Sequence, residues 1–488
     1  MFERSRPPDA LFAALLLSAL LPCRALSESG ADPAAALGRA IALAEESLHQ
    51  GELEAAESHY RTALLEGWLL VGRLDTVDGR LPEAREAFRA ASTSAAETGR
   101  ALRALALAHL RLGETAAAVD VLVRLARQSP NDAEVRRLLA QVRAGGPPEP
   151  AVPAKDEPLA AVAPAHRLEL ERRAKGELVR AYLNLGVMQT QGQRFSRGAE
   201  LFGQAAAIDP DSPQVQYALG VARFNARQFA GATGPLGRAL AARPEDAGLR
   251  RMLAMAWLNA EAYDKAAELL RDDPEREADA SLQFAYGLAL VRTGRAAAAQ
   301  PVFARLLARH GDSAQVRVVL GQASAQQGDF EAAIRELTRA LQLDSHVAEA
   351  NAALGVIYLK QGRLAEAEEA LRTELRTSPD DVQSENALAT VLDLLGRPEE
   401  ALPLLRRALE SKPDFADARY LLGKILLAQG AAPAALEHLE AAVRLAPDDA
   451  NIHYQLARAY QALGRKEQAE EQFEVFRRLK DERRKSAP

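Results

Sequence analysis

The stretch LGVIYLKQGRLAEAEEAL, from Leu354 to Leu371, decides the fold. Leu354, Ile357 and Tyr358 recur at helical spacing around Gly355, Gly362-Arg363 interrupts the pattern, and Leu364, Ala367 and Leu371 open a second apolar stripe. Two helices and a tight turn therefore make one hairpin. The chain writes the unit again as LATVLDLLGRPEEALPLL from Leu388 and as LGKILLAQGAAPAALEHL from Leu422, each 34 residues after the last. A fixed period of this size marks a repeat architecture, in which each unit buries its apolar face on the next.

Gly355 falls where the two helices of a hairpin touch most closely, so a larger side chain would push them apart. Its equivalents are Gly186, Gly220, Ala254, Gly287, Gly321, Ala389, Gly423 and Ala457, spaced by 34 with one step of 33. Turn glycines follow seven residues later at Gly294, Gly328, Gly362, Gly396, Gly430 and Gly464, and a second alanine recurs at Ala232, Ala333, Ala367, Ala401, Ala435 and Ala469. Pro210, Pro244, Pro379, Pro413 and Pro447 close hairpins, because proline cannot continue a helix.

In this register the chain resembles the tetratricopeptide repeat family. Leu354, Gly355, Tyr358, Ala367, Leu371 and Pro379 meet the family pattern, and Gly220, Ala232, Leu236, Ala239 and Pro244 meet it again. The resemblance implies an all-α fold, an α-α superhelix built as a right-handed solenoid of helical hairpins. It also implies a concave groove, lined by the first helix of each hairpin, in which partner segments lie. One hairpin cannot offset its ordering entropy of roughly 1–2 kcal/mol per residue by itself, so stacking supplies the rest.

The register extends toward the amino terminus through Ala44, Gly72 and Ala106, with turn glycines Gly51, Gly79 and Gly113. The first spacing is 28, which predicts a short helix or an altered connection. Ala140 starts a further helix without a partner. Then comes GGPPEPAVPAKDEPLAAVAP, a Pro-rich stretch that reads as an extended spacer between two arrays. The expected organisation is a leader over 1–25, an amino-terminal array over 32–144 and the linker over 145–164. A main array of about nine hairpins over 165–478 follows, opened by a polar helix from about His166, with a charged tail over 479–488. Pro235, Pro301 and Pro403 lie about one turn inside second helices, which should start late or kink there. Pro82, Pro398 and Pro433 sit in a first turn, where proline is tolerated.

Composition narrows the function. The 488 residues are 48% apolar and 26% charged with a net charge of -6, so no basic footprint invites nucleic acid. Arg4 and Arg6, the apolar run Leu11 to Leu21 and Cys23-Arg24-Ala25 together read as a cleaved signal peptide. That predicts an exported protein, periplasmic or secreted, with peripheral envelope association open and no integral span in the mature chain. Cys23, the single cysteine, is a lipid attachment site only if Pro22 is accepted where bacterial lipoproteins carry a small residue.

No HExxH, GxxxxGK[ST], GxSxG or SxxK occurs, and the eight histidines are scattered, so the expectation is no catalytic residue, no metal and no cofactor. What remains is binding of protein or peptide segments. Three residues before each marker, Tyr217, Phe284, Tyr420 and Tyr454 face the expected groove, with Phe224 on the same face as Tyr217. These rings either contact a partner or pack between hairpins. The lysine and asparagine with which chaperone-binding members hold a carboxyl terminus are missing. The sequence thus predicts a non-enzymatic scaffold, with envelope or secretion complex assembly as its setting. An accessory subunit of a polysaccharide export or synthesis system is the alternative.

Overall fold

A Cβ atom on Gly355 would stand 2.5 Å from Cγ of Leu371, so the glycine leaves the hollow that the leucine fills. The same meeting recurs sixteen residues on in other hairpins: Gly72 with Phe88, Gly186 with Phe202, Gly220 with Leu236, Gly287 with Phe303, Gly321 with Leu337 and Gly423 with Leu439. Each of these glycine-marked hairpins is locked by one knob in one hole. The turn is equally uniform. Gly362 has φ +73°, its amide donates to Leu359 O and the Arg363 amide donates to Tyr358 O, a Schellman closure that requires left-handed backbone.

The computed structural model describes residues 33–95, 98–144, 157–273 and 276–486, all helices and connections with no strand among them. The expected leader, Cys23 and residues 145–156 of the Pro-rich stretch lie outside the described residues. By contact the chain divides into two compact units, the first ending at Ala262 and the second starting at Tyr263.

The first unit holds α1 (Ala35–His49), α2 (Leu53–Val77), α3 (Leu81–Ser94), α4 (Gly99–Arg111), α5 (Thr115–Gln128), α6 (Ala133–Arg143) and the single turn α7 (Glu157–Ala160). It continues with α8 (Pro164–Gln191), α9 (Phe195–Ile208), α10 (Pro213–Asn225), α11 (Phe229–Ala242) and α12 (Ala247–Asn259). The spacing of 28 has a definite cause: α2 is the second helix of one hairpin fused to the first helix of the next, with no turn between them. Its two halves serve two stacks. The carboxyl-terminal half packs on α3 and begins the stack α3 to α6, while the whole length of α2 lies antiparallel against α8.

Gly67 permits that docking, since a Cβ there would stand 2.7 Å from Leu178 Cδ2. Ile41, Tyr60, Leu74, Leu178 and Leu185 then form one buried core across α1, α2 and α8. Trp68 Nε1 donates to Tyr182 Oη at 3.0 Å and Asn184 Nδ2 to Tyr60 Oη at 2.8 Å. At the far end Arg80 bridges Asp75 and Glu171, both at 2.6 Å, and Lys175 reaches Glu171 at 2.7 Å. The helices on either side of the Pro-rich stretch therefore share a core, and α3 to α6 leave it as a side stack. The carboxyl end of the expected spacer is also helical at α7, where Leu159 is fully buried while Ala160 and Ala161 stay exposed.

The second unit holds α13 (Tyr263–Arg271), α14 (Ala280–Arg292), α15 (Ala296–His310), α16 (Ala314–Gln326), α17 (Phe330–Leu343), α18 (Ala350–Lys360), α19 (Leu364–Thr377) and α20 (Val382–Leu394). It ends with α21 (Pro398–Ser411), α22 (Ala416–Ala428), α23 (Ala432–Leu445), α24 (Ala450–Ala462) and α25 (Lys466–Ser486). Its apolar clusters each join neighbouring hairpins, as Leu371, Leu392, Leu405 and Leu422 do across α19 to α22. Burial is local, as a solenoid requires.

Of the two outcomes expected at Pro235, Pro301 and Pro403, a late start is corrected: α11, α15 and α21 run through the prolines. In α11 the carbonyl that Pro235 cannot bond, that of Gly231, accepts from Arg223 Nη1 at 2.9 Å.

Candidate partner-binding site

The first helices of stacked hairpins present the residues six and three before the marker, and one and five after it, along one wall. In the side stack these are Glu66, Leu69 and Arg73 on α2, then Arg100, Arg103, Leu107 and Arg111 on α4, and Glu134, Arg137 and Gln141 on α6. All of these but Glu66 line a groove of about 940 Å³. Buried Leu69 and Phe88 and half-buried Leu107 give it an apolar floor. Five arginines, Arg73, Arg100, Arg103, Arg111 and Arg137, stand over that floor, against the acidic lining residues Asp132 and Glu134.

Ion pairs tie the successive first helices together. Arg100 meets Glu66 at 2.6 Å, and Arg103 meets Asp132 at 2.6 Å and Glu134 at 2.5 Å. Asp132 is also the cap of α6; the Val135 amide, with the Arg103 guanidinium and the Glu134 amide, holds its carboxyl below the usual range. A second hollow of about 640 Å³ follows α8, with Glu171, Lys175, Arg180, Leu183, Asn184 and Asp209 among its lining.

The five aromatics singled out from the sequence are split between the units. Half-buried Tyr217 lies under the Arg243 guanidinium, 4.5 Å from the ring centre, and Phe224 meets Phe229 edge to face at 5.4 Å. In the second unit Phe284 meets Phe303 at 6.1 Å, the same ring that fills the hollow at Gly287. Tyr420 is half-buried against the cluster of Leu436, Leu439 and Leu456, and burial raises its hydroxyl pKa. Tyr454 is 38% exposed, with Phe473 at 6.0 Å and Phe476 at 5.2 Å. Each ring spends part of its surface on packing and keeps part open.

The arginine-lined groove was not singled out, although its signal was present. Leu69, Arg103 and Arg137 are spaced by 34, the register of the aromatics carried into the amino-terminal copies. Among the described residues, no group of three His, Cys, Asp or Glu side chains is placed to hold a metal ion. No helix among them is long and apolar enough to cross a membrane.

Helical hairpins that bury their faces on one another and line a groove with their first helices define an α-helical repeat protein. The chain belongs to the tetratricopeptide repeat family: profiles of that repeat match residues 99–142, 217–275, 284–346, 324–390, 386–450 and 426–478. No curated protein sequence matches it. Among solved structures it is similar to YrrB, described as a TPR protein with an unusual peptide-binding site, at 25% identity over 36% of this chain and 91% of that one, with a TM-score of 0.32. It is similar to pilF of Pseudomonas aeruginosa at 17% identity over 42% of this chain and 93% of that one, with a TM-score of 0.39. The Cut9-Hcn1 hetero-tetramer of the APC/C matches at 15% identity over 92% of this chain and 95% of that one, with a TM-score of 0.44.

Proposed function

We propose that the protein is a non-enzymatic scaffold that holds segments of other proteins in the grooves of its repeat array. The observation that carries this reading is the groove of the side stack, where residues of α2, α4 and α6 share one wall and enclose about 940 Å³. A wall repeated at each hairpin suits a long, regular ligand such as a peptide, and the family is built for such contacts. Export from the cytoplasm is part of the proposal, supported by the basic, apolar and small-residue run of the first 25 residues. With export, the setting is assembly of envelope or secretion complexes.

Affinity capture on the purified full chain, followed by mass spectrometry of what is retained, tests it. Proteins held by the wild type should be lost by a variant with Tyr420→Ala and Tyr454→Ala, or by one with Arg111→Ala and Arg137→Ala, at unchanged melting temperature. A retained set that no groove variant alters would overturn the reading. A large fall in melting temperature for the tyrosine pair would assign those rings to packing. Retention of glycan in place of protein would move the assignment to polysaccharide export.

A further inference from the structure

We propose that Glu349 is a clasp across the inner wall of the second unit, holding the hairpins that begin with α14, α16 and α18 in one curvature and releasing them when its contact with Arg292 parts. This goes beyond the scaffold reading and needs no partner.

The sequence prepares the clasp in the connector before α18. The other first helices of this unit start seven residues before the marker, and Asp279, Asp381 and Asp449 cap three of them. In the copy marked by Gly355 the cap position holds Val347, which is apolar and buried in the core, and Ser345 stands where a proline closes other hairpins. An apolar residue there is not enough alone: α22 has Phe415 in the same place, keeps Pro413 and starts on time at Ala416. With both changes α18 starts two residues late, at Ala350, and Glu349 enters it in left-handed backbone at φ 66°.

Glu349 does not cap the helix it precedes. That part is taken by buried Glu374 of α19, whose carboxylate accepts from the Ala352 amide at 3.2 Å. The Glu349 carboxylate turns back along the wall. Its Oε2 accepts from Gln322 Nε2 of α16 at 2.8 Å and from Arg292 Nη2 of α14 at 2.9 Å. Glu349 lies six before its marker, Gln322 one after and Arg292 five after, so the contact runs diagonally over the wall through three successive hairpins. Lys424 and Asp393, an ion pair further along the same unit, join neighbouring first helices instead. A link that skips a hairpin resists flattening of the wall, because two steps of the stack must give before it can lengthen.

The clasp is light. The Arg292 and Glu349 side chains are 35% and 56% exposed, and an ion pair so open to water is worth little by itself. Left-handed backbone is strained for a residue with a Cβ, so the connector itself favours release. Closed and open walls therefore lie close in free energy, as a device that opens and recloses requires.

The test is a distance measurement by electron paramagnetic resonance on the full chain. Spin labels go at Ala304→Cys on α15 and Glu369→Cys on α19, both exposed, with the single native cysteine removed by Cys23→Ser. Glu349→Gly should lengthen the mean distance by about 2 Å or more, the scale of a backbone rearrangement, at nearly unchanged melting temperature. Arg292→Ala should do the same, and the double variant should go no further than either alone, since the two residues form one contact. A second label pair beyond the clasp, at Glu410→Cys on α21 and Glu474→Cys on α25, should keep its distance throughout. Where Glu349→Gly lowers the melting temperature, Arg292→Ala, which leaves the connector untouched, carries the test. Unchanged distances in both single variants, lengthening with Glu349→Gly alone, additive lengthening in the double variant, or equal lengthening of the second label pair would overturn the proposal.

Discussion

Gln193, Arg227 and Glu261 hold φ angles of 56°, 59° and 59°, in the place where other hairpins have a turn glycine at φ near 75°. Their hydrogen bonds are those of the glycine turns, with Gln193 N donating to Thr190 O and Arg194 N to Gln189 O, both at 2.9 Å. The turn therefore dictates the backbone, and the side chain tolerates it. Left-handed backbone costs a residue with a Cβ roughly 1–2 kcal/mol, while glycine gives back about 0.5–1 kcal/mol through its freer unfolded chain. Replacing all three with glycine should stabilise the protein by about 0.5–1 kcal/mol per site, read as a shift in denaturant midpoint; a loss at any site would show that its side chain makes an unseen contribution. Glu349 is the internal contrast. It too has positive φ, at 66°, but its carboxylate accepts from Arg292 at 2.9 Å and Gln322 at 2.8 Å. Glu349→Gly should be close to neutral, because it exchanges strain for two lost contacts.

At the level of helices, the docking of α8 along α2 decides how the first unit is built. Gly67 is its narrowest point, and Gly67→Leu should open it. Overpacking costs about 1–3 kcal/mol, more than the helix propensity of roughly 1 kcal/mol that leucine returns. Amide exchange should quicken in α1, α2 and α8 while α14 to α25 keep their protection; uniform protection throughout would mean that the contact is incidental. The same helices show what a single sequence reveals and conceals. The register was legible because each knob lies sixteen residues from its hole, so 34-residue copies carry the whole contact within themselves. The spacing of 28 was legible as an irregularity, but its meaning was not. Trp68, Arg80 and Gly67 meet partners about a hundred residues away, and no repeat announces them. The site divides likewise. The wall of first helices could be read from the register, whereas the arginines became a site only when α2, α4 and α6 were seen to share a groove.

Across the whole molecule, each unit contains a buried tyrosine hydroxyl that reports on it separately. Tyr60, in the core of α1, α2 and α8, has its pKa pushed up to about 12 by burial, with Glu45 adding to the effect. Tyr460, between α23 and α24, is also pushed up to about 12, by burial and by its hydrogen bond to Glu440 at 2.8 Å. Both start from an ordinary value of 10.0. A raised acid pKa means that the folded state keeps its proton where the unfolded state has lost it. Stability from these groups is thus fully present below the unfolded pKa of about 10 and is lost as pH rises from there toward about 12. Melting temperature should fall above about pH 10, and the share of phenolate absorbance that Tyr60→Phe or Tyr460→Phe removes should appear only as helicity goes. Tyr60→Phe should flatten the fall for the first unit alone, and Tyr460→Phe for the second, when each unit is followed by amide exchange. If the absorbance lost with either substitution already appears in the intact fold, or one substitution flattens both units together, two separately buried hydroxyls are excluded.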